Sequence, residues 1–312
     1  MIDATLSEAE GERLSWGYSL LTSMTRLSLT LLLLTAALPA QTAPKPAKPQ
    51  LPPAAAPYTQ LYVFGDSYSD SGSGYVDTNG PTAVAYLSQR LAIPFTFYGD
   101  PKYSKTEGLN FAISGAGAGA GAGRRYPTGE MLSIGMKNQV DQFVAFTKTG
   151  DIPPIDPANT MFFFAGGLND RGKPDGYTRA NIEAEIDTLY ALGARRFMVA
   201  LLPTKIPQFA TAGTAFNPEL AKIPAEELAK HPDIRIANSN WGLFLDEVIT
   251  NPAKYGFTDT THPCAGRAIH HEDTTPCPTP DTHFFYHEGH PSTAAHRAVG
   301  SLLYQEALTG AP

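Results

Sequence analysis

The chain has 312 residues, 28 of them Gly and 27 Pro, with 17% charged residues, two cysteines and a formal net charge of −7. Gly and Pro exceed the usual combined share of about 12% and imply many turns, while 42% hydrophobic residues leave ample material for a core. A pI near 5.6 argues against a nucleic-acid partner,. Two cysteines exclude a disulfide-dense mini-scaffold and the CxxC…CxxC zinc modules, and no repeat of solenoid or propeller period is visible.

Residues 24–40 read as an export signal. Arg26 supplies the positive n-region, and Leu27 to Ala37 supply an apolar stretch of about eleven residues, within the h-region range. A membrane-spanning helix needs about 20 apolar residues, so cleavage after Ala40 or Ala43 is expected, with Met24 as the start and no stable membrane insertion afterwards. Residues 41–57, rich in Pro, Ala and Lys, read as an extended linker. The expected organisation is therefore an extension plus signal over 1–40, a linker over 41–57 and one domain over 58–312, secreted or periplasmic and monomeric.

Within that domain, short apolar runs alternate with amphipathic segments. Residues 61–64, 109–113, 161–165 and 196–202 have strand length and composition. Val84, Leu87 and Leu91 in 82–91 have helical spacing, as do Val140, Phe143, Val144 and Phe146. The segments 182–192, 241–249 and 293–308 complete the helices. Apolar strands separated by helices predict βαβ crossovers, hence an α/β domain with a mainly parallel sheet covered on both faces. The proline-interrupted segment 203–238 reads as an insertion over one end of the sheet.

In such a sheet, chemistry gathers where strands end. The first strand runs into Gly65-Asp66-Ser67, which could expose a serine hydroxyl but is equally an ordinary helix N-cap. The third apolar run leads into Gly166-Gly167-Leu168-Asn169-Asp170, where Asn169 offers an amide donor, though the same residues suit a turn. Asn110 to Gly115 ends another strand on a glycine, and His290-Pro291 precedes the last helix.

Taken together, Gly65 to Gly72, Asn110 to Gly115, Gly167 to Asp170 and His290-Pro291 resemble the four blocks of the SGNH/GDSL hydrolase family, in that family's order. The resemblance spans nearly all of 61–308 and is closest to the secreted esterase and phospholipase/lecithinase group, because Tyr255-Gly256-Phe257-Thr258 and a cysteine pair before the histidine block are similar to features of that group. It implies a three-layer, flavodoxin-like α/β/α sandwich and a carboxylic ester hydrolase. Ser67 would be the nucleophile and His290 the general base. The N–H groups of Ser67 and Gly115 and the amide of Asn169 would hold the oxyanion. Cys264 and Cys277, in a secreted context, are expected to form a disulfide that tethers the segment leading to His290.

One position departs from the family pattern. The aspartate expected three residues before the histidine is His287, which cannot serve as the anion that fixes the catalytic tautomer. The orienting group is then expected to be a main-chain carbonyl or a carboxylate from elsewhere, with Asp281 and Glu288 as the candidates nearest in sequence.

Other motifs point elsewhere. His283, His287 and His290, with His262, His270 and His271 upstream, could gather on a metal, but lack a defined carboxylate partner, so no metal is expected. The Gly/Ala run 115–123 has no Walker lysine and no acidic residue at a following strand end; it reads as a flexible small-residue loop, and no cofactor is expected. Arg124 and Arg125 read as solvated. The expected substrate is a small-molecule, lipid or carbohydrate acyl ester. The alternative is a non-catalytic carbohydrate- or surface-binding protein on the same scaffold, in which His287 marks lost activity.

Overall fold

The computed structural model describes residues 57–101 and 106–309; the expectations for the N-terminal extension, the signal segment and the linker up to residue 56 lie outside them. In chain order the first half contains β1 (Gln60–Gly65), α1 (Ala83–Leu91), β2 (Phe95–Phe97), β3 (Gly108–Asn110), β4 (Ala122–Arg125), β5 (Met131–Ile134), α2 (Met136–Thr149) and β6 (Thr160–Ala165). The second half contains α3 (Tyr177–Ala191), β7 (Arg196–Ala200), α4 (Ala210–Leu220), α5 (Ile223–Lys230), β8 (Arg235–Ser239), α6 (Trp241–Thr250), β9 (Phe285–His287), β10 (His290–Pro291) and α7 (Thr293–Thr309).

Six strands form one sheet in the order β2-β3-β1-β6-β7-β8, and every neighbouring pair is parallel. From β1 the chain steps outward to β3, then crosses back over β1 to β6 and continues to β7 and β8. Right-handed crossovers require this reversal to change faces. Accordingly α7 packs on α1 and α6, whereas α3 packs on α2, α4 and α5. The result is the expected three-layer α/β/α sandwich. Leaving aside the short edge strand β2, its strand order is that of flavodoxin-like sheets, with the topological switch point beside β1.

The central strands β1 and β6 are buried throughout, which is why both read as continuous apolar runs. Phe64 stacks on Phe111 and Phe164, and Phe143 from α2 meets Tyr62 and Phe162 edge-on. Fully burying a side chain of this size contributes about 1.5–3 kcal/mol, and this aromatic cluster lies along the central strands below their carboxyl ends. This packing gives the loops above it a rigid base.

Two expectations need correction. Residues 203–238 are no insertion: α4 and α5 form the β7-to-β8 crossover, and β8 completes the sheet. Pro224 falls in the first turn of α5, where its missing N–H costs nothing,. The Gly/Ala run is also no flexible loop. A Cβ on Gly117 would come within 2.5 Å of the Asp170 carboxylate, and the run continues into the β4–β5 hairpin. Its glycines permit close approach of backbone to neighbours.

Candidate active site

The turn after β1 places Ser67 at the switch point. The Ser69 and Asp70 N–H groups both donate to the Asp66 carbonyl, and Asp66 Oδ1 accepts from the Tyr68 N–H. Neighbouring strands brace this turn. Asn110, at the end of β3, donates to the Ser69 carbonyl at 2.6 Å and to Ser71 Oγ at 2.8 Å. Gln139 on α2 bonds both the N–H and the carbonyl of Gly65 at 2.9 Å. Asp70 reaches across to the β3 loop, accepting the Ser114 N–H at 2.8 Å. Asp170 accepts the Ala118 N–H and the Thr178 hydroxyl, fixing the loop after β6.

The β9–β10 hairpin delivers the imidazole. His287 pairs with His290 across a two-residue turn of Glu288 and Gly289, and Gly289 takes a φ of +72° that suits glycine,. Tyr68 Oη donates to the Gly289 carbonyl at 2.7 Å, tying this hairpin to the turn that carries Ser67. His290 Nε2 lies 2.9 Å from Ser67 Oγ. Its Nδ1 lies 2.9 Å from the Glu288 carbonyl oxygen, which can only accept. Nδ1 therefore carries the proton, and the Nε2 lone pair faces the serine hydroxyl. Burial holds the His290 imidazole below its usual pKa, and Asp77 only partly offsets this; the ring is neutral and basic near pH 7.

Neither acid proposed from sequence proximity orients this ring. Asp281 is exposed on the 3-10 turn Pro280–Thr282. The Glu288 carboxylate is exposed and accepts from Gln208 Nε2 at 3.0 Å, so only its main chain meets Nδ1. The reason is steric: in a two-residue hairpin turn the carbonyl of Glu288 folds toward the ring while its side chain points to solvent. Of the two kinds of partner expected, the carbonyl occupies Nδ1.

Ser67, Gly115, Asn169 and His290 line one cleft of about 340 Å³. Among the described residues, the N–H groups of Ser67 and Gly115 have no hydrogen-bond acceptor. Gly115 has φ +80°, a left-handed turn that a Cβ would strain,. Asn169 uses one amide hydrogen on the Ala116 carbonyl at 3.0 Å, which leaves its second donor uncommitted,. The rest of the lining is largely polar, with Arg171, Gln208, Arg267 and His270, and with Tyr126 and Phe209 as aromatic members. Phe111 belongs to the core, stacked on Phe64.

Sequence reasoning missed Asp77 and Arg267. Asp77 is buried, and its Oδ2 accepts from Ser114 Oγ at 2.9 Å. Arg267 Nη2 donates to Oδ2 at 3.1 Å, and Nε sits 2.7 Å from Oδ1, an ion pair off-line for a hydrogen bond. His287 Nδ1 donates to Oδ1 at 3.3 Å. Burial pushes the Asp77 carboxyl up, but the nearby His290, His287, Arg267 and Ser114 outweigh it and hold it below the usual range. Arg267 lies in the loop closed by the Cys264–Cys277 disulfide.

The histidines of the tail do not converge on one point. His287 meets Asp77, His290 meets Ser67, and His283 Nδ1 donates to the Thr279 carbonyl. The one cluster of metal-ligating groups among the described residues is Asp187, Glu227 and His231, remote in sequence from these. The Lys230 ammonium already lies 2.5 Å from Glu227 there. Arg124 and Arg125 are exposed on β4, in line with solvated arginines.

Residues 61–303 match the model of the GDSL-like lipase/acylhydrolase family. The chain is 22% identical to GDSL esterase/lipase 6 of Arabidopsis thaliana, over 78% of this chain and 85% of that one. A second GDSL esterase/lipase of the same plant is 25% identical over 83% and 88% of the two chains. Among solved structures, a psychrotrophic esterase from Pseudoalteromonas sp. superposes with a TM-score of 0.41 at 14% identity, covering 80% of this chain and 97% of that one. The chain belongs to the GDSL-like lipase/acylhydrolase family. It is a carboxylic ester hydrolase. Among the described residues no helix is long and apolar enough to cross a membrane.

Proposed function

We propose that the protein is a secreted serine esterase that hydrolyses acyl esters through an acyl-enzyme on Ser67, with His290 as general base. The observation that carries this reading is the 2.9 Å approach of Ser67 Oγ to His290 Nε2, with Nδ1 engaged by the Glu288 carbonyl. As Oγ bonds the acyl carbon, its proton passes to Nε2. The tetrahedral oxyanion is held by the Ser67 and Gly115 N–H groups and the Asn169 amide, each such donor being worth about 10²–10³ in rate. Collapse breaks the bond to the alcohol, which leaves with the Nε2 proton. Water then gives a proton to Nε2 and attacks the acyl carbon, and the second collapse returns that proton to Ser67.

The cleft wall favours an ester whose alcohol part is polar, such as an acetylated carbohydrate, because guanidinium, amide and imidazole groups outnumber apolar side chains around Ser67. Export follows from the segment 24–40 and accords with the Cys264–Cys277 disulfide, a bond that persists in oxidising compartments,. The test is labelling by a fluorophosphonate probe together with turnover of p-nitrophenyl acetate. Both should vanish in Ser67→Ala while the far-UV circular dichroism is kept. Turnover retained by that variant sinks the assignment, and an intact N-terminus on the extracellular product sinks export by cleavage.

A further inference from the structure

Among the described residues, Asp77 is the one carboxylate within ion-pair distance of His290: its Oδ2 stands 3.7 Å from Nε2. This is the opposite nitrogen from the one an orienting aspartate addresses in a Ser-His-Asp triad. We propose that Asp77 is the positioning carboxylate of this site, stabilising the His290 imidazolium from the Nε2 side in the role that position 287 leaves unfilled. The inference rests on the Ser67–His290 reading above.

The geometry makes the interaction selective for the reacting state. With Nδ1 protonated against the Glu288 carbonyl, Nε2 presents a lone pair, so it and Asp77 Oδ2 are two acceptors without a hydrogen bond between them. Once the Ser67 proton reaches Nε2, the ring carries a positive charge beside a buried carboxylate. A contact neutral or repulsive before proton transfer and attractive after it lowers the barrier without tightening substrate binding.

Three neighbours keep Asp77 ionised and fixed. Arg267 and His287 pair with it, and Ser114 donates to it. Ser114 adjoins Gly115, so a single carboxylate links the imidazole to the proposed oxyanion loop. Arg267 acts on His290 in the opposite sense to Asp77: the carboxylate raises the affinity of the ring for a proton and the guanidinium lowers it. The other titratable groups facing the pair are His287, Tyr68 and His296 around His290, with Asp70 and Tyr75 around Asp77. They are common to wild type and variants, so differences between variants report the pair alone.

The test uses the full chain with Asp77→Asn and Arg267→Met, measuring kcat and KM for p-nitrophenyl acetate across pH. An Asp→Asn change at the orienting position of a Ser-His-Asp triad costs about 10⁴ in kcat; here Glu288 already fixes the tautomer, so the expected loss in Asp77→Asn is roughly 30- to 100-fold with KM within about threefold. The acid limb of kcat/KM, where His290 gains its proton in the free enzyme, should move to lower pH in Asp77→Asn and to higher pH in Arg267→Met. A kcat within threefold of wild type, a loss with no shift of the limb, or two shifts of the same sign overturns the proposal. If Asp77→Asn does not fold, Arg267→Met decides: a limb displaced to higher pH supports the pairing and an unmoved limb rejects it. Turnover surviving in Ser67→Ala would instead reject the underlying dyad, whatever the Asp77 variants do.

Discussion

His290 is held by Glu288 through the main chain alone. The carbonyl oxygen of Glu288 lies 2.9 Å from Nδ1, while its carboxylate turns outward to Gln208 at 3.0 Å. A backbone carbonyl fixes the tautomer as a carboxylate does but carries no formal charge. Its presence therefore separates two tasks that a triad aspartate performs together, orienting the ring and stabilising its charged form.

The first consequence is negative. Glu288→Gln and Asp281→Asn should each leave kcat within about threefold of wild type, because neither side chain touches His290 and exposed substitutions of this kind have small effects. Steady-state assays on p-nitrophenyl acetate check this, and a tenfold loss in either variant would return a carboxylate to the Nδ1 side.

Removing the proposed oxyanion amide should act on the rate and little on binding. In Asn169→Ala, kcat is expected to fall about 10²- to 10³-fold with KM nearly unchanged, since the donor matters most when negative charge has developed. The measurement is a full kinetic curve; a rise in KM with kcat preserved would make Asn169 a substrate-binding residue instead.

Replacing both Cys264 and Cys277 by Ala should cost about 3 kcal/mol of stability in the chain-entropy view of disulfides. Activity should fall as well, because the bond closes the loop that carries Arg267 to Asp77. Denaturant unfolding and kcat measured on the same variant distinguish the two effects. A variant less stable yet fully active would show that the loop holds Arg267 without help.

Asp66, directly before Ser67, contributes to the pH dependence of stability. Burial raises its pKa to about 7, and its Oδ2 has no hydrogen-bond partner. The folded state thus holds this proton more tightly than the unfolded chain, so the stabilisation is complete below about pH 4 and is lost as the pH rises through about 7. A shift of this size corresponds to roughly 4 kcal/mol. Thermal unfolding of wild type should weaken from pH 5 to 8, and Asp66→Asn should flatten that decline. An equally steep decline in the variant would assign it to the other acids whose pKa burial raises: Glu185, well above its usual value, Glu183, to about 7, and Asp70, to about 6.

Much of the fold was legible because its central strands are buried on both faces. β1, β6 and most of β7 appear in the sequence as uninterrupted apolar runs. β8 was not, since Arg235–Ser239 is an edge strand, exposed or half-buried over most of its length, and its polar residues imitate a loop. The candidate nucleophile and base were legible through the resemblance of four blocks in order, since each block alone also fits an ordinary turn or helix start. The excess of glycine and proline, by contrast, suggested looseness where the chain is tight: the glycines after Gly115 sit against Asp170 and Tyr177 with no room for a side chain.

What the sequence determined by itself was the layered α/β class, because strand burial leaves short-range patterns; Ser67, His290, Gly115 and Asn169 were singled out as candidates only by the resemblance of four blocks taken together. What only the tertiary structure decided was the group opposite each imidazole nitrogen. The Glu288 carbonyl is chosen by the two-residue turn of a hairpin. Asp77 meets partners 190 and 210 residues further along the chain, and a contact between a turn after β1 and a loop near the C-terminus has no periodicity or spacing to announce it. It exists because the parallel sheet brings both segments to the same end of its central strands.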